Sequence, residues 1–368
     1  LLTARVETGE TYIIFIDTVN RQILQHHKLA GLKVKTSNLY IEITLPTGQD
    51  NDGNQRTAVC CLSSLNIDTY DQWSEDPQFI EDVMRFLDNV MTDFINRAPD
   101  EFAHAKYSAM RERSVGLGVM GLHSYFQQKN IPFGSVMSKV WNKKIFKNIQ
   151  EKVDLASVSL AEERGACPDA AEYGMKERFS NKTAIAPTAS ISIICGGSSP
   201  GIEPIAANSY THKTLSGSFN VRNKYLKKIL QKHKKDTDDV WSTITTNQGS
   251  VAHLDFLTPE EKDTFKTAFE IDQRWIVELG ADRTPHISQA QSINIFIPAD
   301  IHKKDLHDLH FQAWKKGLKS LYYCRSKSIQ RAENVNKGTS TDVTKNVYSQ
   351  GQESNNKSNN YEECLSCQ

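Results

Sequence analysis

Residues 37–47, "SNLYIEITLPT", read locally as a strand leaving a polar turn. Tyr40, Ile41, Ile43 and Leu45 supply bulk, and Pro46 closes the segment. Side chains two apart in a strand share a face, so a strand over 39–45 points Asn38, Tyr40 and Glu42 in one direction. The three side chains point together, toward whatever lies on that side.

The surrounding chain is long enough, at 368 residues, for one large or two ordinary domains. Lys plus Arg and Asp plus Glu each total 44, so no global charge points to nucleic acid or a membrane surface. No apolar run approaches the roughly 20 residues that span a bilayer, and no signal peptide opens the sequence. The expected setting is soluble and cytoplasmic. Seven irregularly spaced cysteines do not resemble a secreted disulfide framework. The opening "LLTARVETGETYIIFI" starts without Met and in mid-element, and is read as a fragment or the downstream product of a split gene.

Periodicity places strands at 11–16 and 57–67 as well. A helix follows Asp76 and Pro77, with an apolar stripe of Phe79, Ile80, Val83, Phe86, Leu87, Val90, Met91, Phe94 and Ile95. Further helices are expected over 99–112, from Ser135 to a C-cap near Gly165, from the Thr258/Glu261 capping box to Gly280, and over 301–317. Short strands are expected at 182–187, 292–298 and 319–323. Strands alternating with long helices predict an α/β fold with parallel strands. Residues 1–324 form that body. Residues 325–368, rich in Ser, Asn, Lys, Gln and Thr, are expected to be a flexible tail.

The tail ends in "YEECLSCQ", a Cys-x-x-Cys pair at Cys364 and Cys367. Structural zinc needs four suitably spaced ligands and the chain has no second such pair, so a redox dithiol is favoured. A flexible coil of about 40 residues reaches roughly 35 Å, enough for a dithiol that swings between an internal site and the outside. Cys60 and Cys61, on opposite faces of the 57–67 strand, offer one candidate partner, against the plainer reading of small buried hydrophobes. Tyr322 and Tyr323 are packing residues on β-propensity alone, or a one-electron relay if the dithiol is redox-active. The segment from Pro187 through Thr188, Ala189, Ser190 and Ile191 to Ser192 follows a strand and exposes amides suited to phosphate, but lacks a Walker lysine.

Together, "RVETGETYIIFIDTVN", "SNLYIEITLPT", "AVCCLSSLN", "RERSVGLGVMGLHS", "AIAPTASIS", "GIEP", "SQAQSINIFI", "GLKSLYY" and the terminal "CLSC" resemble the C-terminal half of the large (alpha, catalytic) subunit of class I ribonucleotide reductases, in phage-like wording. The resemblance implies the second half of a ten-stranded α/β barrel and its central finger loop. It implies that Asn38 holds the substrate, Glu42 is a general base and Cys60 is one of a reducing pair. The 187–192 loop would bind the diphosphate, Tyr322 and Tyr323 would relay a radical, and Cys364 and Cys367 would be the shuttle. It implies a ribonucleoside diphosphate substrate, a metal-containing small subunit that supplies the radical, thioredoxin or glutaredoxin as reductant, and an oligomer. ATP and dNTP effectors would bind an N-terminal half outside this sequence, and no cofactor is expected on this chain. The family's thiyl cysteine corresponds here to Tyr40, which opens a second reading: a catalytically impaired pseudo-enzyme or assembly subunit.

Overall fold

The computed structural model describes residues 1–214 and 217–327; Cys364, Cys367 and the tail from 328 onward lie outside the described residues. The body is built on a run of parallel strands. β1 (Leu62–Asn66) pairs in parallel with β2 (Gly116–Met120), and Leu117 of β2 bridges in parallel to Thr183. Ile185 bridges in turn to Gln291, whose segment continues into β3 (Ile295–Pro298). β4 (Cys324–Lys327) closes the run, parallel to β3. Five successive parallel segments are what one half of a ten-stranded barrel requires. Every residue of β2 is buried, and its glycines allow the close approach: a Cβ on Gly118 would meet the Ala184 carbonyl oxygen at 2.4 Å.

Helices cover the outside. α1 (Phe79–Arg97) and α2 (Val136–Arg164) pack together, α2 opened by a Ser135/Ser138 capping box. The buried face of α1 is Ile80, Met84, Leu87 and Met91, narrower than periodicity suggested, since Phe86 and Val90 face solvent. Asp76 does not cap α1: its carboxylate accepts from Gln78 N (2.9 Å) in the preceding turn. A satellite core around Tyr225, Leu230, Trp241 and Phe265 sits beside the main one.

Four more expectations are corrected. The strand over 39–45 is a loop, in which Ile41 N donates to Asn38 O (3.2 Å) and Ile41 takes φ 62°. The strand over 57–67 begins only at Leu62, so Cys60 and Cys61 precede it rather than alternate within it. The helix expected from Thr258 to Gly280 is two: Pro259–Thr264 and α3 (Gln273–Arg283). Tertiary partners interrupt it, because Asn208 Nδ2 donates to Phe265 O (2.7 Å) and Ala268 N donates to Ile205 O (2.8 Å). Arg325, Ser326 and Lys327, assigned to the tail by composition, pair with Phe296, Ile297 and Pro298.

Candidate active site

The 37–47 loop packs against the parallel run, anchored by its apolar side chains. Ile43 and Leu45 pack with Ala184 and Leu62. Its backbone groups then find partners one at a time instead of in a ladder. Ile43 N donates to Asn38 Oδ1 (3.2 Å), Thr44 N to Gln289 Oε1 (3.1 Å), and Ala290 N to Glu42 O (2.9 Å). Gln289 also donates to Val115 O (3.1 Å), tying the loop to the start of β2. These pairings offset the cost of burying loop backbone outside a ladder.

The segment Ser288–Ser292 is therefore the clamp on the loop. Ser292 Oγ donates to the Tyr40 carbonyl (2.5 Å) and faces Glu42 Oε2 (3.3 Å). Lys319, buried beneath, donates to the carbonyls of Ile287, Ser288 and Gln289 (3.2, 2.8 and 2.6 Å) and holds the clamp from behind. Burial pushes the Lys319 ammonium down to about 7.

Glu42 is 0 % exposed. Burial raises its carboxyl above the usual range, opposed by hydrogen bonds involving Asn38 and Ser292. A carboxylate raised in this way is a proton acceptor nearer neutrality. Cys60, exposed as a residue, stands near it: partial enclosure of the thiol, then the Glu42 and Cys61 charges, push Cys60 up to about 12. The thiol is thus protonated at neutral pH.

Tyr40 projects toward the tyrosine pair. Its ring meets that of Tyr322 edge-on at 5.9 Å between centroids, and Tyr322 meets Tyr323 at 4.3 Å. Tyr12, which sequence reasoning passed over, packs on both, 4.6 Å from Tyr322 and 5.2 Å from Tyr323. Burial, and then the neighbouring phenols, raise Tyr322 and Tyr12 well above the ordinary phenol range. Tyr322 and Tyr12 therefore stay protonated. Buried Arg5 donates to the Tyr322 carbonyl (3.0 Å), and Arg325 lies 5.0 Å over the Tyr323 ring.

The 187–192 loop opens a six-residue helix, Ala189–Ile194. Thr188 takes φ 56°, and its Oγ1 accepts from Gly201 N (2.7 Å). Pro187, Ala189 and Ser192 line a cavity of about 380 Å³, which Glu203, Asn294 and Arg325 also line. Asn294 links this cavity to the tyrosines, since it accepts from Tyr323 N (2.9 Å) and donates to Glu203 Oε1 (2.5 Å). Burial pushes the Glu203 carboxyl up to about 7. Asn38, Tyr40, Glu42, Cys60, Tyr322 and Tyr323 thus converge, with the 187–192 loop one residue link away. The roles of Tyr12, Ser292, Gln289 and Glu203 had no local signal, although three of the motifs quoted above contain them.

A run of five parallel segments carrying a clamped loop, a buried carboxylate and a tyrosine cluster is the arrangement of an α/β-barrel enzyme. The family model "Ribonucleotide reductase, barrel domain" matches residues 1–177 and 168–324, and the chain belongs to that family. It is 44% identical over 344 residues to the ribonucleoside-diphosphate reductase large subunit of Invertebrate iridescent virus 3, covering 93% of this chain and 54% of that protein. The corresponding subunit of Invertebrate iridescent virus 6 is 48% identical over 298 residues, covering 80% of this chain and 30% of that one. The class Id ribonucleotide reductase alpha subunit of Actinobacillus ureae superposes with a TM-score of 0.82 at 38% identity, covering 92% of this chain and 61% of that one. The chain therefore spans about a third to a half of the length of these curated relatives. Among the described residues no helix is long and apolar enough to cross a membrane.

Proposed function

We propose that this chain is the substrate-reducing barrel portion of a class I ribonucleoside-diphosphate reductase. In the family that portion acts on a ribonucleoside diphosphate together with an N-terminal portion, a radical-supplying small subunit and thioredoxin or glutaredoxin, as an oligomer in the cytoplasm. The observation that carries this reading is the convergence of Asn38, Glu42, Tyr322 and Tyr323 around one clamped loop. Asn38 holds the ribose, and Glu42 takes a hydroxyl proton, a role supported by the upward shift that burial gives its pKa. The 187–192 loop receives the diphosphate, Tyr323 and Tyr322 relay the radical, and Cys60 is one of the two thiols that reduce C2′. No metal is assigned to this chain, and effector nucleotides act through the N-terminal portion.

A second reading is favoured by one residue. The family's hydrogen-abstracting group is a cysteine thiyl between the asparagine and the glutamate, and here that position is Tyr40. A phenoxyl spreads its spin over the ring and is a poor abstractor of a ribose hydrogen. The native sequence on this reading keeps the scaffold and lacks the reacting atom.

Both readings are tested by reconstitution with the missing N-terminal portion and small subunit of a relative, native beside Tyr40→Cys. Turnover by the native chain removes the impaired reading. Turnover by neither, with the relative's intact enzyme active in parallel, removes the reductase reading. The tail has its own test in the turnover-competent variant: Cys364→Ser is expected to abolish thioredoxin-driven turnover and spare reduction by dithiothreitol. Equal loss under both reductants refutes the shuttle.

A further inference from the structure

We infer that Tyr40 is a one-electron redox site in its own right, holding a neutral phenoxyl radical that reaches it through Tyr323 and Tyr322. The inference rests on the relay in the reading above and adds where the oxidising equivalent goes when no thiol stands at position 40.

Four phenols form one contiguous group. Tyr12 and Tyr323 are half-buried and reachable from outside, whereas Tyr322 is 3 % exposed. Tyr322 touches each of the other three: Tyr323 at 4.3 Å, Tyr12 at 4.6 Å and Tyr40 at 5.9 Å between centroids. A path inward from Tyr323 to Tyr40 therefore crosses no gap wider than one ring contact. Tyr40 is also held still. Its carbonyl is fixed by Ser292 Oγ (2.5 Å), and the next residue, Ile41, sits at φ 62°, a conformation that an isoleucine keeps only under constraint from its surroundings. Its phenolic oxygen is buried, away from the bulk reductants and water that quench exposed phenoxyls. Beside it Glu42 is buried, and burial favours its uncharged form.

The chemistry balances without a cofactor on this chain. An external one-electron oxidant takes an electron from Tyr323 as its phenolic proton leaves to solvent. The Tyr323 phenoxyl then takes a hydrogen atom, one electron and one proton, from Tyr322. The Tyr322 phenoxyl takes a hydrogen atom from Tyr40. At the end Tyr323 and Tyr322 are phenols again, Tyr40 has lost one electron and one proton, and the oxidant is reduced by one electron. Tyr322 and Tyr12 resist ionisation, so electron and proton travel together and no phenolate is needed.

The test uses the chain alone and a photogenerated ruthenium(III) polypyridyl complex as oxidant, with freeze-quenched electron paramagnetic resonance. The native chain is expected to give a long-lived phenoxyl signal. Tyr40→Phe is expected to shorten its lifetime at least about tenfold and to change its β-methylene splitting. Tyr322→Phe is expected to slow its appearance, whereas Tyr173→Phe, at an exposed tyrosine in another part of the fold, leaves it unchanged. Placing 3,5-difluorotyrosine at position 40 locates the spin independently, because fluorine splitting appears only if the radical resides there. Identical signals from native and Tyr40→Phe chains, no fluorine splitting, or no phenoxyl at all overturns the inference. Because light supplies the oxidant, a negative result here leaves the reductase reading standing. Failure of reconstituted turnover likewise leaves this inference standing.

Discussion

Ser292 is a small residue on which two functional groups depend. Its single hydroxyl proton lies between the Tyr40 carbonyl and the Glu42 carboxylate, both enclosed. Ser292→Ala is expected to cost about 1–2 kcal/mol in denaturant unfolding, the usual effect of stranding a buried acceptor. Ser292 also opposes the rise of the Glu42 pKa. In the Tyr40→Cys background, its loss is therefore expected to move the acid limb of the pH–rate profile to higher pH. An unmoved limb separates Glu42 from the proton transfer. Glu203 makes a further prediction at this scale. Its carboxyl is raised from 4.5 to about 7 by burial, so the folded state holds a proton that the unfolded state releases. Its contribution is fully present below pH 4.5 and is lost as pH rises through about 7. Glu203→Gln is expected to flatten that decline, worth up to about 3 kcal/mol, when chemical denaturation is compared at pH 5 and 8.

Elements that the sequence made legible are those whose own side chains carry the period or the cap. α1 and α2 are such cases, α2 running from just after Ser135 to Gly165 as expected. Periodicity did not show the stretch at 37–47 as a loop, although the resemblance implied a finger loop there. Its alternating bulk imitates a strand, while the groups that satisfy its backbone, Gln289 and Ala290, lie some 250 residues away in sequence. Tyr12 was hidden for the same reason, since its partners stand at 322 and 323. Motif resemblance supplied what periodicity could not: Asn38 and Glu42 were singled out, although a pleated face is not what brings them together. Junctions between elements depend on buried charge. Asp88 of α1 accepts from Arg113, from Arg164 at the end of α2, and from Arg178. Removing one member of such a buried group leaves the others uncompensated. Asp88→Asn is expected to lower unfolding free energy by about 3–5 kcal/mol, and a loss under 1 kcal/mol in urea melts would show the cluster to be solvent-relieved.

At the scale of the whole molecule, the parallel run is a scaffold that carries Tyr40 on a clamped loop. The parallel run, the Ser288–Ser292 clamp and the tyrosine group are all in place around Tyr40. The central claim is that this one side chain separates the architecture of a reductase from its chemistry. Single-turnover formation of deoxyribonucleotide, with the N-terminal portion and small subunit of a relative supplied, tests it most directly because it needs no tail. The account predicts product from Tyr40→Cys and none above background from the native chain. Product from the native chain at a rate equal to that of Tyr40→Cys would contradict it.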